Sequence, residues 1–416
     1  MPATRVRVPF CGLPCPDLTL DEAPGGAVRV TGGCAAGRGA LAALAADDSS
    51  AAPRVAGRAA SLEEALAAAA ALLARARSPF IYGLSRSPVG AAREAARLAQ
   101  TLGGAIDVEG SAPLDAEIEA MAIHGLCAAT FGEVRSRADV ALLWRCDPRA
   151  EHPALLPPAA KVILAPPRAG RAAGPVPAGD DGAGALSLPE GDDLEILLAL
   201  RAAVNGRPGM LRPAGLARSA GAAPAGALQE AAQSLRTAGY AAILWDHEAI
   251  AGPGGLAVAS ALMLLARDLN TGGRAAARPL GAGGNVAGAM SALLSVGGSP
   301  RALGFHGDAP RSAPESFSAA AMIEGGGADA WLLVGVHDLP AHGTPPPCVV
   351  VGSPSSPAAD SADVFLPAAA PGLDGEGLFL RADGLPVPLR PVVSRGRMQE
   401  EAILAALRAR CAGSAA

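Results

Sequence analysis

The chain has 416 residues, of which half are hydrophobic and only 3% are aromatic. This length is enough for two or three cores of roughly 100–200 residues each, packed mainly by alanine, leucine and valine. The formal net charge of −5 provides no basic surface of the kind that binds nucleic acid. The composition therefore predicts a large globular protein and excludes a nucleic-acid-binding one.

The N-terminal residues 1–10 contain two arginines but no apolar segment of signal-peptide length. The longest apolar run, Ala65–Ala74, is mostly alanine and too short to span a bilayer. It predicts an amphipathic helix that begins after Ser61, with Glu64 at the spacing of a capping box. Seven scattered cysteines do not indicate a disulfide framework in a chain of this size. We therefore expect a cytoplasmic protein without a membrane segment.

Residues 1–57 predict a small β-rich region. Short strand-like pieces at Arg5–Val8, Leu18–Leu20 and Ala27–Thr31 are joined by glycine and proline turns. The region ends near the polar stretch Asp47–Ser50, which we interpret as a flexible connection.

From Ser61 the sequence alternates between helical and extended patterns. The predicted elements after the first helix are the strand Phe80–Leu84, the helix Val89–Leu102, the strand Ala105–Val108, the helix Asp115–Leu126 and the strand Asp139–Trp144. Alternation of this kind indicates a parallel sheet with helices on its faces.

The segment Pro166–Gly184 is rich in proline, glycine and alanine and predicts a loop or linker, as does the shorter tract Gly221–Ala227. The alternation then resumes. Its elements are the helices Asp192–Val204, Leu228–Ala238 and Leu256–Leu269, the strands Ala241–Trp245, Ala330–Val336, Pro347–Gly352 and Val364–Leu366, and a C-terminal amphipathic helix at Gln399–Cys411.

Three cysteines near the N-terminus, Cys11, Cys15 and Cys34, are candidate ligands of an iron–sulfur cluster. Such a cluster normally takes four cysteines, and no fourth cysteine lies nearby in the sequence. Because cysteine is commonly buried, ordinary buried thiols are the alternative interpretation.

The histidines form no recognisable metal-binding pair. They are His124, His152, His247, His306, His337 and His342. Three of them have a nearby acidic residue, in Asp246-His247-Glu248, His306-Gly307-Asp308 and His337-Asp338. An acid can orient an imidazole, but any histidine-bearing loop can contain such a neighbour.

A glycine-rich segment, Gly281–Gly288, follows a short extended run and precedes an apolar helical stretch. Glycines in this arrangement let backbone N–H groups approach a phosphate at a helix N-terminus. With 52 glycines in the chain, a tight strand-to-helix turn is the alternative. The residues alone predict a multidomain α/β protein that could retain the remnant of a cofactor cleft.

A collinear series of short segments spans residues 8–390. The series includes Ile81–Ser85, Ala96–Gln100, Gly104–Asp107, Thr130–Val134, Arg137–Val140, Cys146–Pro148, Arg267–Asn270, Gly283–Gly288, Ala362–Pro367, Asp374–Gly377 and Arg381–Gly384. Together the segments resemble the molybdopterin-type B-subunit of formylmethanofuran dehydrogenases. That family uses tungsto- or molybdopterin and a 4Fe–4S cluster.

The resemblance implies an α/β, molybdopterin-oxidoreductase-like fold, with a small N-terminal β-rich region and two Rossmann-like α/β domains, one of them discontinuous. The expected bounds are 1–57 for the N-terminal region, 58–146 with 328–392 for the discontinuous domain, 147–327 for the inserted domain and 393–416 for a C-terminal helix.

The residues that carry the family's redox chemistry are missing. Cys11, Cys15 and Cys34 match three of the four cluster ligands, but Val8 stands where the first is expected. The family's metal-ligating cysteine or selenocysteine falls on Pro113. We therefore expect no catalytic residue, no metal and no cofactor in this chain. The vestigial pterin region implied by the resemblance consists of Gly281, Gly283, Gly284, Asn285 and Gly288.

The pattern is similar to the B-subunit of the formyltransferase/hydrolase complex of methylotrophic bacteria. This similarity implies a non-catalytic structural subunit in tetrahydromethanopterin- and methanofuran-dependent one-carbon metabolism, from formaldehyde to formate. The implied partners are an amidohydrolase-like, a β-helical and a formyltransferase subunit. Two alternatives stay open. The first is an active tungsten- or molybdenum-pterin dehydrogenase subunit, in which Cys127, in a predicted helix, replaces the missing thiolate. The second is a small-molecule-binding protein that uses the former cofactor cleft.

Overall fold

The structure is a computed structural model of the chain. It describes residues 4–6, 11–13, 18–22, 28–47, 50–149, 152–166, 185–207, 222–336, 340 and 345–414. The chain divides into two compact units. The first unit comprises residues 1–112 and 282–416, and the second unit comprises residues 113–281. No helix within these described ranges has the length and apolar character needed to cross a membrane.

The strands are numbered in chain order. They are β1 (Thr4–Val6), β2 (Leu18–Glu22), β3 (Val28–Gly32), β4 (Arg54–Val55), β5 (Arg58–Ala59), β6 (Pro79–Gly83), β7 (Ala105–Val108), β8 (Val140–Trp144), β9 (Lys161–Ala165), β10 (Leu186–Ser187), β11 (Tyr240–Trp245), β12 (Arg274–Pro279), β13 (Leu303–Gly304), β14 (Arg311–Ser312), β15 (Ala330–Val334), β16 (Cys348–Gly352), β17 (Val364–Pro367), β18 (Gly377–Leu380) and β19 (Pro386–Leu389).

The helices are numbered in the same way. They are α1 (Ala35–Ala45), α2 (Leu62–Arg75), α3 (Val89–Leu102), α4 (Asp115–His124), α5 (Phe131–Arg137), α6 (Asp193–Val204), α7 (Ala222–Thr237), α8 (His247–Ile250), α9 (Gly255–Leu269), α10 (Val286–Gly297), α11 (Pro314–Phe317), α12 (Pro357–Asp360) and α13 (Glu400–Ser414). A 3₁₀ turn at Ala112–Leu114 precedes α4, and a π-helix at Ala320–Glu324 follows α11.

The N-terminal part of the first unit is an antiparallel sheet in the order β1-β2-β3, close to the three predicted strands. Helix α1 follows it and is absent from the sequence-based assignment. Leu41 of α1 is fully buried in one apolar cluster with Val6 and Leu18, which attaches the helix to the small sheet.

The first unit also contains a larger sheet in the order β14-β13-β7-β6-β15-β16-β17-β4-β5. The five central strands of this sheet, β7, β6, β15, β16 and β17, are parallel and almost entirely buried. This burial is expected when helices cover both faces of a sheet. Helix α2 begins at the predicted capping box of Ser61 and Glu64. The C-terminal helix α13 packs on α2 and α3.

The second unit is built on a parallel sheet in the order β10-β9-β8-β11-β12. Its core includes the fully buried Leu142, Ile243 and Leu262, which come from β8, β11 and α9. Helix α9 packs against α4 and α6. The predicted α/β fold class is confirmed in both units.

The structure corrects the assignment of two helices. The tract Gly221–Ala227 is predicted as a loop, but α7 begins at Ala222. Alanine has the highest helix propensity, and Pro224 lies in the first turn, where its missing N–H costs no hydrogen bond. The helix predicted to reach Leu126 ends at His124, because Gly125 adopts a positive φ of 72°. The predicted linker Pro166–Gly184 lies outside the described residues except for Pro166.

Candidate functional site

The glycine-rich segment Gly281–Gly288 is the predicted strand-to-helix turn between β12 and α10. Gly281, Gly283 and Gly284 all have positive φ values, which favour glycine. A Cβ atom at Gly284 would lie 2.2 Å from the carbonyl oxygen of Ser85. Glycine is therefore required at this position by the chain's own packing.

Asn285 connects the turn to two other parts of the first unit. Its backbone N–H donates to the carbonyl oxygen of Ser85 at 2.6 Å, and its Nδ2 donates to the carbonyl oxygen of Ser87 at 2.7 Å. Its Oδ1 accepts from the backbone N–H of Leu380 at 2.7 Å. A Cβ at Gly288 would lie 2.1 Å from this Oδ1. The residues of the proposed pterin motif thus have a structural use inside the fold.

The hydrogen bonds made by the backbone N–H groups of this turn determine whether those groups are available to bind a phosphate. A phosphate-binding turn presents unused backbone N–H groups at a helix N-terminus. Here the N–H of Asn285 is bonded to Ser85, and the N–H of Val286 to Gly283 at 3.3 Å. These two donors are directed to the chain itself, so the turn does not require a bound pterin to explain its composition.

Of the predicted cluster residues, Cys11 and Cys34 lie among the described residues, whereas Cys15 and Val8 lie outside them. The Sγ atoms of Cys11 and Cys34 are within 4.8 Å of each other. Cys34 is buried and caps α1, because its Sγ accepts the backbone N–H of Gly37 at 3.3 Å. The resemblance implies valine at the fourth ligand position, and such a donor set would not fit a cluster that is held by four cysteines.

Pro113, the residue on which the resemblance is expected to place the family's metal ligand, lies in the middle of the 3₁₀ turn. Proline has no side-chain atom that can ligate a metal. The alternative thiol, Cys127, does not lie in a helix as predicted but in the extended connection between α4 and α5. Its carbonyl oxygen accepts the backbone N–H of Ala277 at 2.8 Å, and its side chain packs against the core of the second unit.

A cleft of about 280 Å³ in the first unit opens beside the carboxyl ends of β15, β16 and β17, with α1 forming part of its wall. Ligands of open α/β sheets commonly bind at this edge. The lining residues comprise Ala36, Gly39, Ala40, Ala43, Leu44, Arg86, Gly335, Val336, Gly352, Ser353, Ser355, Ser356, Ala368, Ala369, Ala370, Pro371 and Glu400. The sequence does not predict this cleft, because its residues come from distant parts of the chain.

Glu400 is the unusual group in this cleft. It begins α13 and is only 4% exposed, and its Oε2 has no hydrogen-bond partner among the described residues. The buried Ser87 lies beside it, since both side chains approach the position of a Cβ at Gly335. Burial raises the pKa of Glu400 to about 8, against a smaller lowering by Ser87. An acid in the first turn of a helix is common, so no sequence pattern distinguishes this group.

The histidines with acidic neighbours show no common site among the described residues. His247 is buried at the start of α8, with its Nδ1 3.7 Å from Asp246, and Asp246 caps this short helix through the N–H of Glu248. His306 stacks on Phe317, with ring centroids 5.5 Å apart. His337 and His342 lie outside the described residues.

Comparison with protein-family models gives no match. The B-subunit of the formyltransferase/hydrolase complex Fhc from Methylorubrum extorquens is 34% identical over 333 residues, which cover 76% of this chain and 85% of that protein. The B-subunit of tungsten-containing formylmethanofuran dehydrogenase 2 from Methanocaldococcus jannaschii is 26% identical and covers 80% of this chain and 78% of that protein.

The fold is shared by proteins of known structure. A chain of the FhcABCD complex from Methylorubrum extorquens, solved with methylofuran, has a TM-score of 0.71 at 28% identity and covers 88% of this chain and 99% of that one. Acetylene hydratase from Pelobacter acetylenicus has a TM-score of 0.66 at 14% identity, covers 98% of this chain and 69% of that one, and supports the fold alone. The chain belongs to the formylmethanofuran dehydrogenase B-subunit family, which includes the B-subunit of the formyltransferase/hydrolase complex.

Proposed function

We propose that the chain is a non-catalytic structural subunit of a formyltransferase/hydrolase complex. The complex would act in tetrahydromethanopterin- and methanofuran-dependent one-carbon metabolism, between formaldehyde and formate. The observation that carries the proposal is the match to the Fhc B-subunit over most of both chains. We also infer from the resemblance that Pro113 takes the position of the family's metal-ligating cysteine. A subunit that keeps the fold but has no metal-ligating cysteine can still bind the other subunits of the complex.

The local packing supports this proposal, because it explains the retained motif without a cofactor. The turn at Gly284 and Asn285 is bonded to Ser85, Ser87 and Leu380 within the first unit. Both units also have apolar cores formed by their own side chains. Burial of apolar area stabilises such cores independently of any bound group. Loss of the metal site therefore leaves the surfaces of the subunit available for partners.

The partners we propose are an amidohydrolase-like, a β-helical and a formyltransferase subunit in a cytoplasmic hetero-oligomer. The solved FhcABCD assembly, which contains a chain of the same fold, supports a complex of several different chains. In this proposal, cleavage and transfer of the formyl group belong to the partners. This chain would bring no tungsto- or molybdopterin, no 4Fe–4S cluster and no catalytic side chain.

The proposal is tested on the native protein, purified through a C-terminal affinity tag with the chains that accompany it. Tungsten, molybdenum and iron are measured per chain by mass spectrometry, and pterin is measured by fluorescence after oxidation. We expect less than about one tenth of a heavy-metal atom per chain, against the one atom that a loaded site would hold. Formyltransferase and amidohydrolase chains should co-purify at constant ratio.

A content near one tungsten or molybdenum atom per chain would overturn the proposal and favour the dehydrogenase alternative. The variant Cys127→Ala then identifies the ligand, since loss of the metal in this variant alone would assign it to Cys127. Cys348→Ala is the matched control, because Cys348 is a buried thiol of the first unit. Purification of the chain without any partner would instead favour the small-molecule-binding alternative.

A further inference from the structure

Cys11 and Cys34 form a close pair of thiols in the first unit. Their Sγ atoms lie within 4.8 Å of each other, although 23 positions separate the residues in the sequence. A disulfide needs an S–S distance of about 2.05 Å, so a change of side-chain rotamer must bring the two sulfur atoms together before the bond forms. We propose that Cys11 and Cys34 are a site of reversible disulfide formation.

The position of Cys34 is held by the helix that it begins. Its Sγ accepts the N–H of Gly37, and its carbonyl oxygen accepts the N–H of Arg38 at 2.9 Å. Leu41, two turns further along α1, is fully buried in the cluster shared with the small sheet. The first turn of α1 therefore keeps the Cys34 side chain at a fixed place beside the N-terminal segment.

The position of Cys11 is held by its neighbour Gly12. The carbonyl oxygen of Gly12 accepts the N–H of Ala382 at 2.9 Å. Gly12 has a φ of 71°, and a Cβ there would lie 3.5 Å from the Cα of Gly283. Cys11 is half-buried and its Sγ donates to the carbonyl oxygen of Leu13 at 3.8 Å, so solvent reaches this residue more readily than it reaches Cys34.

This difference in exposure gives the order of the reaction. The Cys11 thiolate attacks a low-molecular-weight disulfide of the glutathione type, forms a mixed disulfide and releases one thiolate of the reagent. The Cys34 thiolate then attacks the Cys11 sulfur and releases the second. One reagent disulfide is reduced to two thiols while two protein thiols are oxidised to one disulfide, and the two protons pass to the leaving thiolates. Excess thiol reverses both steps.

The test uses the full chain in its native assembly. The protein is equilibrated with oxidised or reduced glutathione, its remaining thiols are blocked with N-ethylmaleimide, and it is digested with trypsin. Cleavage after arginine gives one peptide of residues 8–29, which carries Cys11 and Cys15, and one of residues 30–38, which carries Cys34. We expect the linked pair of peptides to rise at least about tenfold in oxidised glutathione and to disappear in excess reduced glutathione.

Three variants locate the bond. Cys15→Ser should keep the linked peptides, whereas Cys11→Ser and Cys34→Ser should each abolish them. Wild-type protein oxidised after unfolding in guanidinium is the control, because it should form Cys15–Cys34 links as well. A native wild-type protein without linked peptides, or a link that is lost in Cys15→Ser, would overturn the proposal. Both outcomes are read from proteins that retain Cys11 and Cys34, so misfolding of the two other variants does not affect the decision.

Discussion

The side-chain amide of Asn285 donates a 2.7 Å hydrogen bond to the backbone carbonyl of Ser87, and both residues are completely buried. On its other side the same amide accepts the N–H of Leu380. One side chain thus joins the segment after β6, the turn before α10 and strand β18. This junction gives the Asn between glycines a structural role that needs no bound cofactor.

Asn285→Ala should destabilise the protein by about 2–4 kcal/mol, because it leaves the buried Ser87 carbonyl and the half-buried Leu380 N–H without these partners. The measurement is the free energy of unfolding from guanidinium titration followed by circular dichroism. The control Asn205→Ala removes an exposed amide at the end of α6 and should change stability by less than about 0.5 kcal/mol. Equal losses of unfolding free energy in the two variants would contradict a stabilising role of the Asn285 side chain at this junction.

Gly288→Ala should destabilise the first unit by about 1–3 kcal/mol, because the added Cβ would meet Oδ1 of Asn285 at 2.1 Å. Gly39→Ala is the matched control, since Gly39 is also helical and a Cβ there meets nothing within 4 Å. That variant should be more stable than wild type by roughly 0.5–1 kcal/mol through helix propensity. Thermal unfolding of both variants checks the opposite signs.

Glu117 should make the stability of the second unit depend on pH. It is 1% exposed, and burial raises its pKa to about 8, partly opposed by the 2.7 Å hydrogen bond that Trp245 Nε1 donates to its Oε1. In the unfolded chain the pKa of this carboxyl is about 4.3. Between these values the folded state keeps a proton that the unfolded state has lost. The contribution of Glu117 to stability therefore falls as pH rises from about 5 to about 8 and then levels off.

Glu117→Gln keeps the acceptor for Trp245 and removes the ionisation. The variant should match wild type near pH 5 and exceed its unfolding free energy at pH 8 by an amount on the order of a few kcal/mol. Glu119→Gln, at an exposed position of the same helix, should follow the wild-type curve throughout. A constant difference between the Glu117→Gln and wild-type curves would show that burial does not raise the pKa of Glu117.

Asp107→Asn should cost about 3–5 kcal/mol, because it leaves the guanidinium of Arg301 buried without its carboxylate. Asp107 Oδ2 lies 3.1 Å from Arg301 Nη2, and both side chains are less than 5% exposed. The same carboxylate accepts the backbone N–H groups of Ala302 and Ala319. Urea unfolding of the variant measures the loss.

The control for this pair is Asp360→Asn. Asp360 lies 3.3 Å from Arg54, but its side chain is 77% exposed, so loss of its charge should change stability by less than about 1 kcal/mol. If the two substitutions had similar effects, burial would not be the determinant of the Asp107 contribution.

The parts of the fold that depend on local patterns are predictable from the sequence. Continuous apolar runs such as Val349–Val351 identify the buried parallel strands, and Ser61 with Glu64 identifies the start of α2. Helix α1 is missed, because the glycines in its sequence lower helix propensity and its stability comes from packing of Leu41. The antiparallel pairs β13–β14 and β18–β19 are also missed, since strands of two to four residues are too short to show a clear alternating pattern.

The candidate site is less predictable for the same reason. The glycine-rich turn is located correctly, but its two interpretations can be weighed only with the contacts of Asn285 to Ser87 and Leu380. The cleft beside Glu400 depends on residues from α1, from the segment that follows β15 and from α13, which are far apart in the sequence. Sequence periodicity and residue spacing do not predict which distant residues come together in the folded chain.

The order of the strands in the larger sheet has a consequence for synthesis on the ribosome. Strand β6 pairs with β15, with Ile81 opposite Leu332, so the first unit is incomplete until the chain has been made beyond this point. The second unit, by contrast, is one continuous segment that ends at Gly281. Because domains generally fold as units while the chain is being made, the second unit can be finished while β6 still has an unpaired edge. A ribosome that pauses between β12 and β15 would thus expose an aggregation-prone strand of an unfinished first unit.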